Sequence, residues 1–236
     1  MQNSKKSKFR HELKFLISTS ERDIIKQRLQ TVLSLDANAE NGSYMIRSLY
    51  FDDMWETAYS EKLMGTNTRR KYRIRCYNAS DKVIKLECKK KEGQYISKTA
   101  ARLTREETDS ILRGDVDFLK DRKEKVCRDF YVEWKANLMR PKVIVDYDRE
   151  PFVYPFGDVR ITFDNFIRAG VSDFNLFNPE LPVLEIMEQG QLIMEVKFTE
   201  YLPNIIRDLL RIENCVAVAA SKYVMCVEKS KEYTMH

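Results

Sequence analysis

Apolar and polar residues alternate with a period of two over much of this chain, the pattern of strands that bury one face. Over residues 9–17, Phe9, Leu13, Phe15 and Ile17 oppose Arg10, Glu12 and Lys14, with His11 on the apolar side. Tyr44–Asp52, 69–77, 82–91, Tyr95–Leu103, 142–147, 158–165, 183–187 and 192–198 read as further strands. The breaks at Asn78-Ala79-Ser80-Asp81 and Glu92-Gly93 are turn chemistry. Gly190 predicts a tight turn that makes a hairpin of the last two strands. Ser18-x-x-Glu21 is a capping box opening a helix with the stripe Ile24, Ile25, Leu29, Val32 and Leu33. Thr104-x-x-Glu107 opens another that stops near Gly114. A longer helical region is expected over 116–139, ending before Pro141, with helices over 201–212 and 218–229. Residues 54–62 read as a short polar segment. Most consecutive strands lie too close for helical crossovers, so the sheet should be largely antiparallel and the fold α+β.

The polar faces are basic. Strand periodicity puts Lys71, Arg73 and Arg75 on one side, opposite Tyr72, Ile74 and Cys76. It groups Lys85, Glu87, Lys89 and Lys91; Arg160, Thr162 and Asp164; and Glu195 with Lys197. Residues 69–102 hold twelve Lys/Arg against three Asp/Glu, a net +9. An ordinary solvated face mixes signs, because like charges opposite each other destabilise a sheet. Faces of this kind that converge imply a polyanion, either a phosphate chain or a nucleic acid. Tyr72, Tyr77 and Tyr95 could stack bases. However, Tyr72 falls opposite the basic face, which argues against a nucleic-acid partner.

Composition narrows the chemistry. The chain has 236 residues, 33% of them charged, and a formal net charge of only +5, so the distribution says more than the total. With seven glycines, six prolines and no linker composition, 1–236 reads as a single domain. Five cysteines without a C-x-x-C pair suggest reduced thiols and a cytoplasmic location. His11 and His236 are the only histidines, which leaves little room for His-ligated metals or Ser-His-Asp catalysis. The basic N-terminus has no apolar stretch behind it, and no apolar run approaches about 18 residues, so neither a signal peptide nor a membrane span is expected.

Glu12, Glu87 and Glu195 stand among the bases, where they either balance charge or hold a divalent metal. Mg²⁺ or Mn²⁺ needs only one or two protein carboxylates when phosphate oxygens complete its shell. A metal beside Lys and Arg suits phosphoryl transfer, in which the protein positions groups and stabilises charge. No P-loop and no G-x-G-x-x-G is present, so a nucleotide would be held by side chains.

The ordered set Glu12-x-Lys14, Ser48-Leu-Tyr-Phe-Asp52, Lys71-Tyr-Arg-Ile-Arg75, Glu87-x-Lys89, Tyr147-x-Arg149, Asp158-Val-Arg160, Glu195-Val-Lys197 and Ser221-Lys-Tyr223 resembles the triphosphate tunnel metalloenzymes (CYTH-like). Within them it resembles the vacuolar transporter chaperone (VTC) type polyphosphate polymerase domain. The resemblance implies an eight-stranded antiparallel β-barrel tunnel with a basic interior and helices packed outside. It implies transfer of the ATP γ-phosphate onto polyphosphate with Mn²⁺ or Mg²⁺. Lys14, Arg73, Arg75, Lys89, Arg149, Arg160, Lys197 and Lys222 would bind phosphates, with Arg73, Arg75, Lys89 and Lys197 at the reacting group. Glu195 would hold the metal, with Glu12 and Glu87 as further candidates. Lys222, on a helix, would close one mouth. Arg10 stands where the superfamily's E-x-E-x-K signature has its first Glu, which favours polymerase over hydrolase. Export of product would fall to a separate membrane partner. An inorganic or nucleotide triphosphatase and a non-enzymatic polyphosphate-binding module are the alternatives on the same fold.

Overall fold

The computed structural model describes residues 10–39, 41–93, 95–171, 173–211 and 215–234, with Arg10 described in its backbone only. Phe9, Ile212 and His236 lie outside the described residues. The strands are β1 (Arg10–Ser18), β2 (Ser34–Leu35), β3 (Tyr44–Asp52), β4 (Thr68–Tyr77), β5 (Ser80–Glu92), β6 (Tyr95–Leu103), β7 (Arg140–Tyr154), β8 (Val159–Gly170), β9 (Val183–Glu185), β10 (Gln191–Thr199) and β11 (Val216–Ala217). The helices are α1 (Thr19–Leu29), α2 (Thr57–Leu63), α3 (Arg105–Arg113), α4 (Lys125–Ala136), α5 (Asn204–Leu210) and α6 (Lys222–Thr234). The hydrogen-bonded order is β11-β1-β10-β8-β7-β3-β4-β5-β6, with β2 on β7 and β9 on β8. The pairings with a resolved register are antiparallel. This is a mixed α+β fold with a large antiparallel sheet. Among the described residues the ladder is open, since β11 and β6 are not paired with each other, so the pairings do not form the closed eight-stranded barrel.

The chain divides into two compact units. One comprises Met1–Tyr44, Asp148–Asn165 and Met187–Ala220. Its core sets Phe15 and Ile17 of β1, Ile161 and Phe163 of β8, and Met194 and Val196 of β10 against Ile25 and Leu29 of α1 and Ile206 and Leu210 of α5. The other comprises Met45–Tyr147, Phe166–Ile186 and Ser221–His236. There Tyr72, Ile74, Leu86 and Cys88 on the apolar faces of β4 and β5 pack on Ile111, Phe130 and Trp134 of α3 and α4. In both units alternation buries one sheet face under helices. The charged face is left on the other side.

Both capping boxes form, and Gly114 ends α3 at φ +93°, a conformation glycine adopts without strain. Several expectations fail. The segment read as merely polar over 54–62 forms most of helix α2, which runs on to Leu63. The region 116–139 is a 3₁₀ turn (Asp117–Asp121) followed by α4, not one helix. The hairpin at Gly190 is absent among the described pairings, because β9 pairs with the end of β8 while β10 pairs with β1 and β8. α5 is shorter than 201–212, and α6 begins four residues later than expected and runs to Thr234. β7 and β8 each extend well beyond 142–147 and 158–165.

Candidate functional site

In the first unit, register builds the site in two rows. Lys14 on β1 faces Glu195 on β10, which faces Thr162 on β8. In the next row Glu12 faces Lys197, which faces Arg160. Glu195 is buried and draws cations from three strands. Lys197 Nζ donates to its Oε2 at 2.7 Å, Arg149 Nη2 reaches the same oxygen at 3.4 Å, and Lys14 Nζ lies 3.5 Å from Oε1. Arg149 is fixed by a two-pronged bond, its Nε and Nη2 donating to the two carboxylate oxygens of buried Asp164 at 2.7 Å each. Lys14 also donates to the Ala220 carbonyl at 3.0 Å. Arg160 Nη2 donates to Tyr44 Oη at 2.9 Å and pairs with Asp36 at 2.8 Å. Arg160 Nε and Thr162 Oγ1 are buried with no hydrogen-bond partner among the described residues.

In the second unit the rows run across β3, β4, β5 and β6. Tyr50, Arg73, Glu87 and Ala100 share one row, and Ser48, Arg75, Lys85 and Arg102 the next. Lys71, Lys89 and Lys98 form a third. Arg73 donates from Nε to Glu87 Oε2 at 2.8 Å and from Nη1 to Tyr50 Oη at 2.8 Å. Lys98 Nζ lies 2.5 Å from Glu87 Oε1. Burial opposes ionisation of Glu87, but Arg73, Arg75 and Lys98 outweigh it and hold its carboxyl at about 2. Tyr50 is also buried, yet Arg73, Arg75 and Lys89 pull its hydroxyl below the ordinary value. Arg75 is buried and donates to Ser48 Oγ at 3.1 Å, with Tyr147 Oη at 3.5 Å. Lys222, the first residue of α6, is buried with its Nζ 5.0 Å from the centre of the Tyr147 ring. Next to it, Tyr223 donates its hydroxyl to Asp52 at 2.5 Å and tilts its ring against Tyr50.

The structure therefore gathers Glu12, Lys14, Arg149, Arg160, Glu195 and Lys197 in one unit. Arg73, Arg75, Glu87, Lys89 and Lys222 gather in the other. Glu12 and Glu195 both approach Lys14 Nζ, at 3.4 and 3.5 Å. Two converging carboxylates fit an Mg²⁺ or Mn²⁺ that takes its remaining ligands from phosphate and water. Among the described residues no group of three or more His, Cys, Asp or Glu is set to hold an ion, so the donors do not form a resident cage. Both oxygens of Glu87 are engaged by cations, as are both oxygens of Glu195.

Three participants were not singled out from the sequence. Lys98 sits on β6, where exposed residues blur the alternation; its register with Lys89 follows once the β5–β6 turn at Gly93 is placed. Asp164 was placed on the face but given no role, because its pairing with Arg149 joins residues 15 apart. Tyr50 lay within a quoted motif, but its bond to Arg73 depends on register.

A family model described as the VTC domain matches residues 9–231. The chain belongs to the VTC domain family. Two solved structures share the fold of this VTC domain. A candidate adenylate cyclase from Bacillus halodurans is 12% identical, with a TM-score of 0.50 over 91% of this chain and 93% of that one. A candidate adenylyl cyclase from Hippeastrum, described as having a dominant triphosphatase activity, is 10% identical, with a TM-score of 0.54 over 93% and 97%. At such identities the likeness shows the fold alone. No curated protein matches this chain significantly in sequence. Among the described residues no helix is long and apolar enough to cross a membrane.

Proposed function

We propose that this VTC domain is a polyphosphate polymerase that transfers the γ-phosphate of ATP to a growing phosphate chain in the family's basic tunnel. The observation that carries the reading is Glu195, one buried carboxylate approached by Lys14, Arg149 and Lys197 from three strands. Three cations around one carboxylate make a site that welcomes further negative charge while keeping an oxygen ligand within it. Phosphoryl transfer spreads charge over equatorial oxygens, and fixed cations stabilise that charge. Among the described residues neither cluster offers a poised Ser, Cys or His nucleophile, which suits direct transfer between phosphates. The terminal oxygen of the acceptor chain bonds to the γ-phosphorus as its bond to the β-phosphate oxygen breaks, and ADP leaves.

Lys14, Arg149, Arg160 and Lys197 bind phosphoryl oxygens in one unit, and Arg73, Arg75, Lys89 and Lys222 bind them in the other. Arg73, Arg75 and Lys89 are the candidates for stabilising charge on a transferred group in their unit, and Lys197 is the candidate in the other. Glu195, with Glu12, would hold Mn²⁺ or Mg²⁺, which when bound neutralises phosphate charge. Glu87 serves to fix Arg73. Arg10 at the first position of the E-x-E-x-K signature favours the polymerase. The triphosphatase described for the Hippeastrum protein supports a second reading, in which water takes the acceptor position.

Two variants test the assignment. Glu195→Gln should cut metal-dependent consumption of ATP at least about a hundredfold while tripolyphosphate binding changes by less than about threefold. Arg75→Ala should weaken tripolyphosphate binding by about tenfold or more. Equal loss of binding and turnover in Glu195→Gln would remove its metal role.

A further inference from the structure

Two atoms on β8 do not fit a finished protein interior. Thr162 is 1% exposed and its Oγ1 has no hydrogen-bond partner among the described residues; Arg160, two residues earlier, is part-exposed, but its Nε is buried and also without a partner there. A buried hydroxyl left unpaired is destabilising, because it has lost its bonds to water without replacing them. Thr162 is therefore a poor structural choice in the ligand-free chain, where Val would fill nearly the same space without that cost.

Its surroundings identify what would satisfy it. Register places Thr162 beside Glu195, which is in turn beside Lys14, and places Arg160 beside Lys197. Alternation sets Arg160 and Thr162 on the same face, about 7 Å apart along the strand. Arg149 reaches that face through its bonds to Asp164 and Glu195. The unpaired hydroxyl and the unpaired guanidinium N–H thus lie among cations. Cationic surroundings with two donors to spare favour an oxyanion, whose charge they offset and whose oxygens accept from both.

We infer that Thr162 and Arg160 form a phosphate subsite, with the Thr162 hydroxyl and the Arg160 Nε–H each donating to oxygens of one phosphoryl group in a linear phosphate chain. The inference rests on the polyphosphate reading and adds to it a neutral donor beside the metal carboxylate. Thr162 is a binding residue here and transfers no proton.

The test is calorimetry with tripolyphosphate in the absence of divalent metal, together with thermal melts, on the wild-type chain, Thr162→Val and Thr162→Ser. Thr162→Val should raise the melting temperature of the ligand-free protein and weaken tripolyphosphate binding about tenfold, opposite signs that a purely structural hydroxyl would not produce. Thr162→Ser, which keeps the hydroxyl, should bind within about twofold of wild type. If Thr162→Val binds as wild type does, the subsite is refuted while the polyphosphate reading stands. Parallel loss of stability and binding in Thr162→Val would also refute it, by making the hydroxyl structural. A wild-type chain that does not bind tripolyphosphate would overturn both.

Discussion

Glu87 shows what one carboxylate does on a face crowded with cations. It joins Arg73 to Lys98, and the register makes it the only acidic side chain in the three rows of β4 and β5 described above. Its carboxyl is held at about 2, against an ordinary 4.5, with burial opposing and Arg73, Arg75 and Lys98 prevailing. A folded-state value below the unfolded one contributes stability that is complete above about 4.5 and is lost as pH falls toward about 2. Glu87→Gln should therefore lower stability at pH 7 by about 2 kcal/mol. That is less than the roughly 3–5 of a fully buried pair, because Lys98 is half-exposed and Gln still accepts from Arg73. Denaturant titrations at pH 7, 5 and 3 check this: the gap should persist at pH 5 and narrow at pH 3, and a gap independent of pH would mean that the ionised form is not what stabilises. Residue identities on the strand faces were legible because alternation alone assigns Lys14, Arg73, Arg75, Glu87, Glu195 and Lys197. Partners were not, since Arg149 with Asp164 and Arg73 with Tyr50 depend on register between strands.

At the scale of elements, the misread segments have a common cause, in that their stabilising contacts lie outside the local sequence. Helix α2 begins after Glu56, which adopts a left-handed φ of +55° and supplies no side-chain cap. Its first amide, Thr57 N, donates to Asp53 Oδ1 at 2.9 Å, and the next two are capped from β3, where Asp52 accepts from Ala58 N at 2.9 Å and Tyr59 N at 3.1 Å and from the Tyr223 hydroxyl. No local motif announces a cap five residues before the helix. Asp52→Ala should thus destabilise by about 2 kcal/mol, since it strands two amides and a buried phenol together. Urea unfolding measures the loss, and a change under about 0.5 kcal/mol would contradict the shared-cap role. β8 looked shorter for a related reason. Phe166, exposed and at φ +48°, breaks the alternation, yet the strand resumes and its last residues pair with β9. That pairing takes β9 away from the hairpin expected at Gly190. Capping boxes, by contrast, are complete within four residues, and both were readable.

For the whole molecule, the sequence carried the α+β class and the family through the order of its motifs, and the VTC match over residues 9–231 confirms the latter. It did not carry the eleven-strand order, because long-range pairing such as β1 with β10 has no local signature. The two units share a design in which helices cover the apolar sheet face and cations line the other, with Glu195 and Glu87 each buried among those cations. This design accounts for a chain of modest net charge that nevertheless concentrates positive charge on particular faces. On the proposed function these faces build phosphate chains and do not cleave or merely bind them. The most direct measurement incubates the purified chain with ATP and Mn²⁺ and resolves the products by gel electrophoresis. Polymerisation predicts a ladder of polyphosphate that lengthens with time as ADP accumulates, and free phosphate released in step with ADP, without a ladder, would contradict it.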